Sequence, residues 1–305
     1  AKMRAGVAGA GVFGGYHANK YAESARAELV AIYDRDLARA QERAAEHGAE
    51  GFDEFTSFLS RIDILTIATP ATTHAELAAA AIEAGKHVLV EKPIAMTTGD
   101  ADALITQAEA AGTVLQVGHQ ERYVADAFGL FGRGKPRAVR SRRLNRYSPR
   151  AGDVSVVLDL MIHDLDLLAQ LTGESEAGIL TAEARSERSD HADYVDVTLL
   201  LGGVEARLVA SRLEEEPTRD LLLTYAEGEV HLDFLKRSIG NTTTTPVAAS
   251  FEGDDLPMAL RDPLGFGTES FIDAVEQGIS PRVPGQAGRR ALAMALAIEE
   301  AIRGR

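Results

Sequence analysis

Residues 9–14 read Gly-Ala-Gly-Val-Phe-Gly and lie between a short apolar run at 2–8 and a stretch predicted to be helical at 15–24. Glycines at the first, third and sixth positions of such a turn allow a tight bend and a close approach of the backbone to a phosphate. The helix that follows offers free N–H groups at its N-terminus. In this context the turn predicts a cradle for the pyrophosphate of a dinucleotide, formed by Gly9, Gly11, Val12, Phe13 and Gly14. The alternative, a glycine turn in an unrelated α/β protein, is disfavoured by the flanking strand and helix.

The choice of dinucleotide is predicted from the end of the second strand, at 28–33. Asp34 follows this strand, about twenty residues beyond Gly14, where a carboxylate can accept hydrogen bonds from the adenine-ribose hydroxyls. A 2′-phosphate would be repelled there, so NAD is favoured over NADP. Arg35 acts in the opposite direction, because an arginine beside the acid can accommodate that phosphate.

The spacing of the remaining elements predicts two domains. Strands at 63–68, 87–90 and 113–117 alternate with helices, which indicates a parallel sheet with helices on both faces and a Rossmann dinucleotide-binding domain over residues 1–120. Consecutive strand-like runs then predict a C-terminal α+β domain over 121–305 with a largely antiparallel, open-faced sheet. A final helix at 286–303 belongs to this second domain or packs back on the first.

Composition limits the classes of partner. The 305 residues carry a formal net charge of −14, which argues against nucleic acid or an anionic membrane as a bulk partner. The chain contains no cysteine. No apolar run is long enough to span a bilayer and no signal-peptide core precedes the first strand, so we expect a cytoplasmic protein. One segment departs from the average, because residues 133–150 contain eight basic side chains and no acid.

Acid–base groups follow the cradle along the chain. Glu91-Lys92-Pro93 comes directly after a predicted strand, and Asp159 and His163 are four residues apart on a predicted helix over 154–171, so both project from one face. Imidazole can take a hydroxyl proton near neutral pH, Lys92 can polarise the oxygen or relay the proton, and Asp159 can hold a substrate hydroxyl. Which of Lys92 and His163 is the formal base stays open.

Other interpretations of the Asp159–His163 pair also stay open. The two side chains could form an ordinary helix-surface contact, or half of a metal site for which no cluster supplies the remaining ligands, so no metal is predicted. Asp166 shares the same helix face and either orients His163 or is a polar helix residue without a role.

These motifs in this order resemble the glucose–fructose oxidoreductase/inositol dehydrogenase (Gfo/Idh/MocA) family over essentially the whole chain. The resemblance is carried by residues 9–14, Ala68-Thr69-Pro70 with His74, the run 85–93, Asp159-x-x-x-His163 and a helix containing Glu269. It implies an NAD(P)-dependent dehydrogenase acting on CH–OH groups, with Lys92 beside the nicotinamide and the substrate hydroxyl. It also implies a cis peptide before Pro93, and cofactor contacts from Thr69, Pro70, His74, Glu91 and Lys92.

Within the family, residues 153–166 and 117–123 resemble the branch that oxidises a nucleotide sugar such as UDP-N-acetylglucosamine at its 3-hydroxyl. The predicted substrate-binding residues are Lys92, His119, Arg122, Arg142, Arg143, Asp159 and His163. The arginines suit this class because guanidinium forks bind phosphate bidentately. The competing interpretation is an exposed, solubilising strand whose arginines pair with acids on a partner chain. Val124-Ala125 stands where the branch has Asn-Pro, which puts the contacts of His119 and Arg122 in question.

Two further functions compete with this prediction. An inositol or free aldose dehydrogenase needs no arginine cluster, and a non-catalytic NAD(P)-binding regulator on the same fold often lacks the lysine or histidine that this chain has. The open face of the second sheet is predicted to form a homodimer or homotetramer.

Overall fold

The computed structural model describes residues 1–303, which form two compact units. Unit 1 contains Ala1–Gln120 and Asp262–Arg289, and unit 2 contains Glu121–Arg261 with the chain from Arg290 onward. The sequence predicted a first domain at 1–120 and a second at 121–305. The structure differs in that residues 262–289, including the first residues of the C-terminal helix, cluster with the first unit.

The helices and strands alternate regularly up to residue 120 and are mostly strands after it. The strands are β1 Met3–Ala8, β2 Ala27–Tyr33, β3 Glu50–Phe52, β4 Ile64–Ile67, β5 His87–Glu91, β6 Leu115–Gly118, β7 Ala138–Leu144, β8 Gly178–Arg185, β9 Tyr194–Leu201, β10 Val204–Ser211, β11 Thr218–Tyr225, β12 Gly228–Asp233 and β13 Ser238–Asn241. The helices are α1 Val12–Glu23, α2 Leu37–Ala45, α3 Phe55–Leu59, α4 His74–Glu83, α5 Thr98–Ala111, α6 Glu121–Ala127, α7 Ile162–Thr172, α8 Met258–Arg261, α9 Pro263–Gln277 and α10 Gly285–Ile302. A π-helix at Val157–Met161 precedes α7.

The sheet of unit 1 is parallel and has the strand order β3-β2-β1-β4-β5-β6. This order reverses direction between β1 and β4, and ligands of open α/β sheets bind at such a switch point, outside the carboxyl ends of the strands. The parallel sheet and the dinucleotide-binding topology are therefore confirmed. Strand β3 was not predicted, because it contains three residues and lacks an apolar run.

Helix α9 completes the core of unit 1 although it follows β6 by more than 140 residues. Its Phe271 and Ile272 are fully buried in the cluster that contains Val7 of β1 and Tyr21 of α1. The guanidinium of Arg26 binds the same helix, at 2.6 Å from Glu269 Oε2 and 2.5 Å from Asp273 Oδ1. Buried apolar contacts of this kind explain why residues 262–289 belong to unit 1.

The sheet of unit 2 has the strand order β13-β12-β11-β7-β10-β9-β8 and is antiparallel except for the β7–β10 pair. The predicted largely antiparallel sheet is confirmed. Burial alternates along the central strand β7, where Val139, Ser141 and Arg143 are buried while Arg140 is exposed and Arg142 is partly exposed. One face of the sheet therefore packs inward and the other carries mainly polar side chains. Within residues 1–303, no helix combines the length and the apolar character that crossing a membrane requires.

Candidate active site

The glycine turn lies at the switch point of the unit 1 sheet. Gly9 has φ +115°, and a Cβ added there would lie 2.4 Å from the backbone oxygen of Ala68, which follows β4. A Cβ on Gly14 would lie 1.8 Å from the carbonyl oxygen of Gly9. Both positions therefore exclude a side chain, and the turn can close tightly over the start of α1.

The start of α1 fits the pyrophosphate of a dinucleotide. Gly11 is the N-cap and offers no side-chain cap, so the first N–H groups of the helix are not satisfied by its own N-cap residue. Those N–H groups and the positive end of the helix dipole favour an anion at this position. Val12 and Phe13 lie at the helix start with exposed side chains, 36 % and 69 % respectively, as the prediction of a cofactor contact requires.

Asp34 lies directly after β2 with its carboxylate fixed by backbone donors. Its Oδ2 accepts a hydrogen bond from the N–H of Ala10 at 3.0 Å, and its Oδ1 accepts one from the N–H of Asp36 at 2.9 Å. A carboxylate has about four acceptor positions, so it can still accept hydrogen bonds from ribose hydroxyls. Asp36 caps α2 by accepting from the N–H groups of Ala38 and Arg39, and Arg35 is exposed beside it.

Strand β5 ends at Glu91, and Lys92 and Pro93 follow it in a turn. The Lys92–Pro93 peptide is cis, which confirms the expectation from the family resemblance. His74, at the start of α4, is 1 % exposed. Its Nδ1 lies 2.7 Å from the carbonyl oxygen of Pro93 and its Nε2 lies 2.9 Å from that of Thr69. Burial lowers the pKa of His74, although both carbonyl contacts oppose this.

This geometry gives His74 a structural role in joining the 91–93 turn to the turn after β4, where Thr69 is partly exposed and Pro70 is exposed. Cofactor contacts from His74, Thr69 and Pro70 stay predictions. Two side chains that sequence reasoning missed bind Glu91. They are His17 of α1, which lies 74 residues from Glu91 in the sequence, and Gln120 after β6, which lies 29 residues from it.

In unit 2, Asp159 and His163 lie on one partly exposed patch. Between residues 154 and 169, the side chains that are not buried are those of Asp159, Leu160 and His163. The helix predicted over 154–171 is observed over 156–172, but Asp159 lies in its π-helical part and His163 in the first turn of α7. π-Helical turns are rare and occur frequently at functional sites.

Asp166 and Arg122 form a buried ion pair. The Nε of Arg122 donates to Asp166 Oδ2 at 3.1 Å, and its Nη2 donates to Oδ1. Asp166 is 1 % exposed and Arg122 is 7 % exposed. Asp166 is therefore neither a solvent-facing helix residue nor, in its observed hydrogen bonds, a partner of His163.

The other predicted phosphate-binding arginines also have carboxylate partners in unit 2. Arg143 is buried, and donates from Nε to Asp164 Oδ2 at 2.8 Å and from Nη2 to Glu121 Oε2 at 3.3 Å. Arg142 is bound bidentately by Asp220, whose Oδ2 also lies 2.9 Å from Nε2 of His231. The strand arginines thus pair with acids, but these acids belong to the same chain rather than to a partner, and Arg143 is buried rather than exposed. Binding of a diphosphate by Arg122, Arg142 or Arg143 stays a prediction.

The remaining substrate-binding candidate is His119, which follows β6 in unit 1. Its side chain is 1 % exposed, and its backbone N–H donates to the carbonyl of Val117 at 3.0 Å. Within residues 1–303, no group of three or more His, Asp or Glu side chains is arranged to hold a metal ion.

The comparisons with known proteins agree with this arrangement. Residues 3–119 match the GFO_IDH_MocA family profile, an oxidoreductase family with an NAD-binding Rossmann fold. The chain is 35 % identical to a UDP-N-acetylglucosamine 3-dehydrogenase of Acidithiobacillus ferrooxidans over 98 % of this chain and 97 % of that protein. The crystal structure of that organism's enzyme, GnnA, superimposes with a TM-score of 0.86 over 99 % of this chain and 98 % of its own. A myo-inositol 2-dehydrogenase of Thermotoga maritima is 25 % identical over 98 % of this chain and 96 % of its own length.

The fold, the glycine cradle and these end-to-end similarities define an NAD-dependent dehydrogenase that acts on CH–OH groups. The chain belongs to the Gfo/Idh/MocA oxidoreductase family.

Proposed function

We propose that the protein oxidises a secondary alcohol on a sugar ring with NAD, and that its substrate is the 3-hydroxyl of a nucleotide sugar such as UDP-N-acetylglucosamine, giving a 3-keto sugar. The observation that carries this proposal is the 35 % identity to the A. ferrooxidans enzyme along almost the full length of both chains. The inositol dehydrogenase of T. maritima, matched over a similar length, is 25 % identical.

The cofactor residues proposed for NAD are those of the cradle and of the strand ends around it. They are Gly9, Gly11, Val12, Phe13, Gly14, Asp34, Arg35, Thr69, Pro70, His74, Glu91 and Lys92. When bound, NAD accepts the hydride that leaves the alcohol carbon. The fixed carboxylate of Asp34 supports NAD over NADP, because a 2′-phosphate would meet a negative charge there.

The acid–base chemistry is assigned to Lys92, Asp159 and His163. The imidazole of His163 takes the hydroxyl proton as the carbon–oxygen double bond forms, and Lys92 donates a hydrogen bond to that oxygen. Asp159 accepts a hydrogen bond from a substrate hydroxyl and fixes the sugar. Support comes from the shared, partly exposed patch of Asp159 and His163 on an otherwise buried helical segment.

Replacement of these groups tests the assignment. Lys92→Met, Asp159→Asn and His163→Asn should each lower kcat by about 100-fold or more. The dissociation constant for NAD should change little in Asp159→Asn and His163→Asn, because neither residue belongs to the proposed cofactor set. Because the chain has no tryptophan for a fluorescence titration, calorimetry measures that constant. His191→Asn, at an exposed histidine of unit 2, is the matched control and should retain wild-type turnover. Near-normal turnover in Lys92→Met and His163→Asn would contradict the assignment.

An inositol or free aldose dehydrogenase is the second candidate function. The observation that favours it is the pairing of Arg122, Arg142 and Arg143 with carboxylates, because a free sugar or cyclitol requires no cationic site for a diphosphate. Wild-type KM for the nucleotide sugar in a folded Arg142→Gln variant would remove Arg142 from substrate binding. A raised KM with unchanged kcat would return it there.

We also propose that the protein is a cytoplasmic homodimer or homotetramer that associates through the outward face of the unit 2 sheet. That face carries partly exposed or exposed side chains from neighbouring strands, including Arg140, Arg142, Asp196, Leu200 and Arg207. Light scattering at micromolar concentration tests the association. A dimer that Arg140→Glu or Leu200→Glu converts to a monomer supports this face, whereas a wild-type monomer contradicts it.

A further inference from the structure

The carboxylate of Glu91, one residue before Lys92, is held by two side chains that the proposed chemistry does not use. Nε2 of His17 lies 2.7 Å from Oε1 of Glu91, and Nε2 of Gln120 donates to the same oxygen at 2.8 Å. The Glu91 side chain is 14 % exposed and that of His17 is 2 % exposed. All these residues belong to unit 1.

Glu91 is ionised in this setting. Burial by itself would raise the pKa of Glu91, but the hydrogen bonds from His17 and Gln120 and the nearby charge of Lys92 hold it below its usual value. The Nδ1 of His17 is buried and has no hydrogen-bond partner in the described part of the chain. His17 therefore donates to Glu91 through Nε2–H, with the proton position inferred from this pattern.

The end of β6 lies directly against this carboxylate. A Cβ on Gly118, the last residue of β6, would lie 2.7 Å from Oε1 and 2.8 Å from Oε2 of Glu91. On the other side of Lys92, the carbonyl of Pro93 is bound by Nδ1 of His74. Both neighbours of Lys92 are thus fixed, one through its side chain and the other through its backbone.

We propose that His17 and Gln120 are positioning residues, which clamp Glu91 and thereby fix the direction in which Lys92 leaves strand β5. This proposal rests on the function proposed for Lys92. Neither residue contacts the substrate in this scheme; each acts through the carboxylate between them. A catalytic group displaced by about 1 Å can lose on the order of 100-fold in rate, so such a clamp has measurable consequences.

The first experiment separates a positioning role from a purely structural one. His17→Phe removes the donor and keeps a ring, Gln120→Met removes the second donor, and His17→Gln keeps an N–H donor on an acyclic side chain of similar reach. We expect kcat to fall by on the order of 10- to 100-fold in His17→Phe and Gln120→Met, with the melting temperature close to that of wild type and partial rescue in His17→Gln. Gln107→Met is the matched control, because Gln107 makes one comparable bond to the carbonyl of Ala79, away from Glu91.

Wild-type kcat in folded His17→Phe and Gln120→Met variants would overturn the proposal. A second outcome would also overturn it. In that outcome kcat falls as far in His17→Gln as in His17→Phe, and the melting temperature and the NAD affinity fall with it. That pattern indicates general destabilisation.

A second readout does not depend on any sugar substrate. Brief acetylation with acetic anhydride, followed by peptide mass spectrometry, gives the reactivity of Lys92 relative to Lys86, which precedes the same strand. We expect this ratio to change in His17→Phe and in Gln120→Met and to stay constant in Gln107→Met. An unchanged ratio of Lys92 to Lys86 reactivity in His17→Phe and Gln120→Met would overturn the clamp. A changed ratio in a protein that turns over no tested sugar would contradict only the proposed function.

Discussion

The carboxylate of Asp34 is tied to the glycine turn by the backbone N–H of Ala10, which donates to Oδ2 at 3.0 Å. The end of β2 and the cofactor cradle therefore share one hydrogen bond, and the N–H of Asp36 holds the other carboxylate oxygen at 2.9 Å. The negative charge is fixed before any cofactor binds, at the position proposed for the adenine-ribose hydroxyls, where NAD and NADP differ by a phosphate.

Replacement of Asp34 should therefore change cofactor choice. In Asp34→Ser we expect KM for NAD to rise on the order of 10- to 100-fold, as loss of hydrogen bonds to a charged group predicts, and the preference over NADP to shrink. Steady-state kinetics with both cofactors measures this change. Asp53→Ser, at an exposed acid after β3, is the control, and an unchanged NAD-to-NADP ratio in Asp34→Ser would contradict the role of Asp34.

A methyl group in the cradle should abolish cofactor binding. In Gly14→Ala, the new Cβ would lie 1.8 Å from the carbonyl oxygen of Gly9, so the turn must move away from the geometry that receives the pyrophosphate. Calorimetric titration with NAD should show no binding at concentrations that saturate wild type. Gly99→Ala serves as the control, because its Cβ would meet nothing closer than 4.0 Å, and NAD bound normally by Gly14→Ala would refute the cradle.

Much of this arrangement follows from local sequence patterns. The glycine spacing and the alternation of strands and helices are short-range features, and each was predicted within a few residues. The family resemblance led to the cis Lys92–Pro93 peptide, which periodicity alone does not predict. The Asp159–His163 pair was recognised by its spacing, whereas the π-helical turn was not, because a run of buried residues does not distinguish it from an α-helix.

Long-range partners were beyond the reach of the sequence. Arg143 meets Asp164 across 21 residues and Arg142 meets Asp220 across 78, so the basic segment at 133–150 could be taken for an anion-binding surface. Helix α9 joins the core of unit 1 through Phe271 and Ile272, a contact that depends on packing rather than on local pattern. His17 and Gln120 were missed for the same reason.

The buried pair of Arg143 and Asp164 should be a sensitive point of stability. In Asp164→Leu we expect the free energy of unfolding to fall by about 3–5 kcal/mol, because the variant leaves a buried guanidinium without its nearest carboxylate. The double variant Arg143→Met/Asp164→Leu should recover much of this loss. Urea denaturation of both variants and of Arg143→Met completes the double-mutant cycle. A loss of unfolding free energy in the double variant equal to the sum of the two single losses would contradict a coupled pair.

Ionisation of Glu91 predicts a pH dependence of stability. The folded state lowers its pKa from an ordinary value near 4.5, so its contribution is fully present above about pH 4.5 and is lost as the pH falls through the lower folded-state value. The melting temperature of Glu91→Gln should therefore lie furthest below wild type at neutral pH and approach it as the pH falls below about 4.5. Glu83→Gln, at an exposed position near the end of α4, is the control, and a gap that widens on acidification would contradict the ionised clamp.

Formation of NADH measures directly the proposed oxidation of a nucleotide sugar by NAD. Purified protein is mixed with NAD and UDP-N-acetylglucosamine, myo-inositol or a free hexose, and absorbance is followed at alkaline pH with a carbonyl trap to draw the reaction forward. We expect NADH to form with UDP-N-acetylglucosamine, and little NADH to form with myo-inositol or the free hexose. NADH with inositol or hexose and none with UDP-N-acetylglucosamine would contradict the substrate assignment and support the second candidate function.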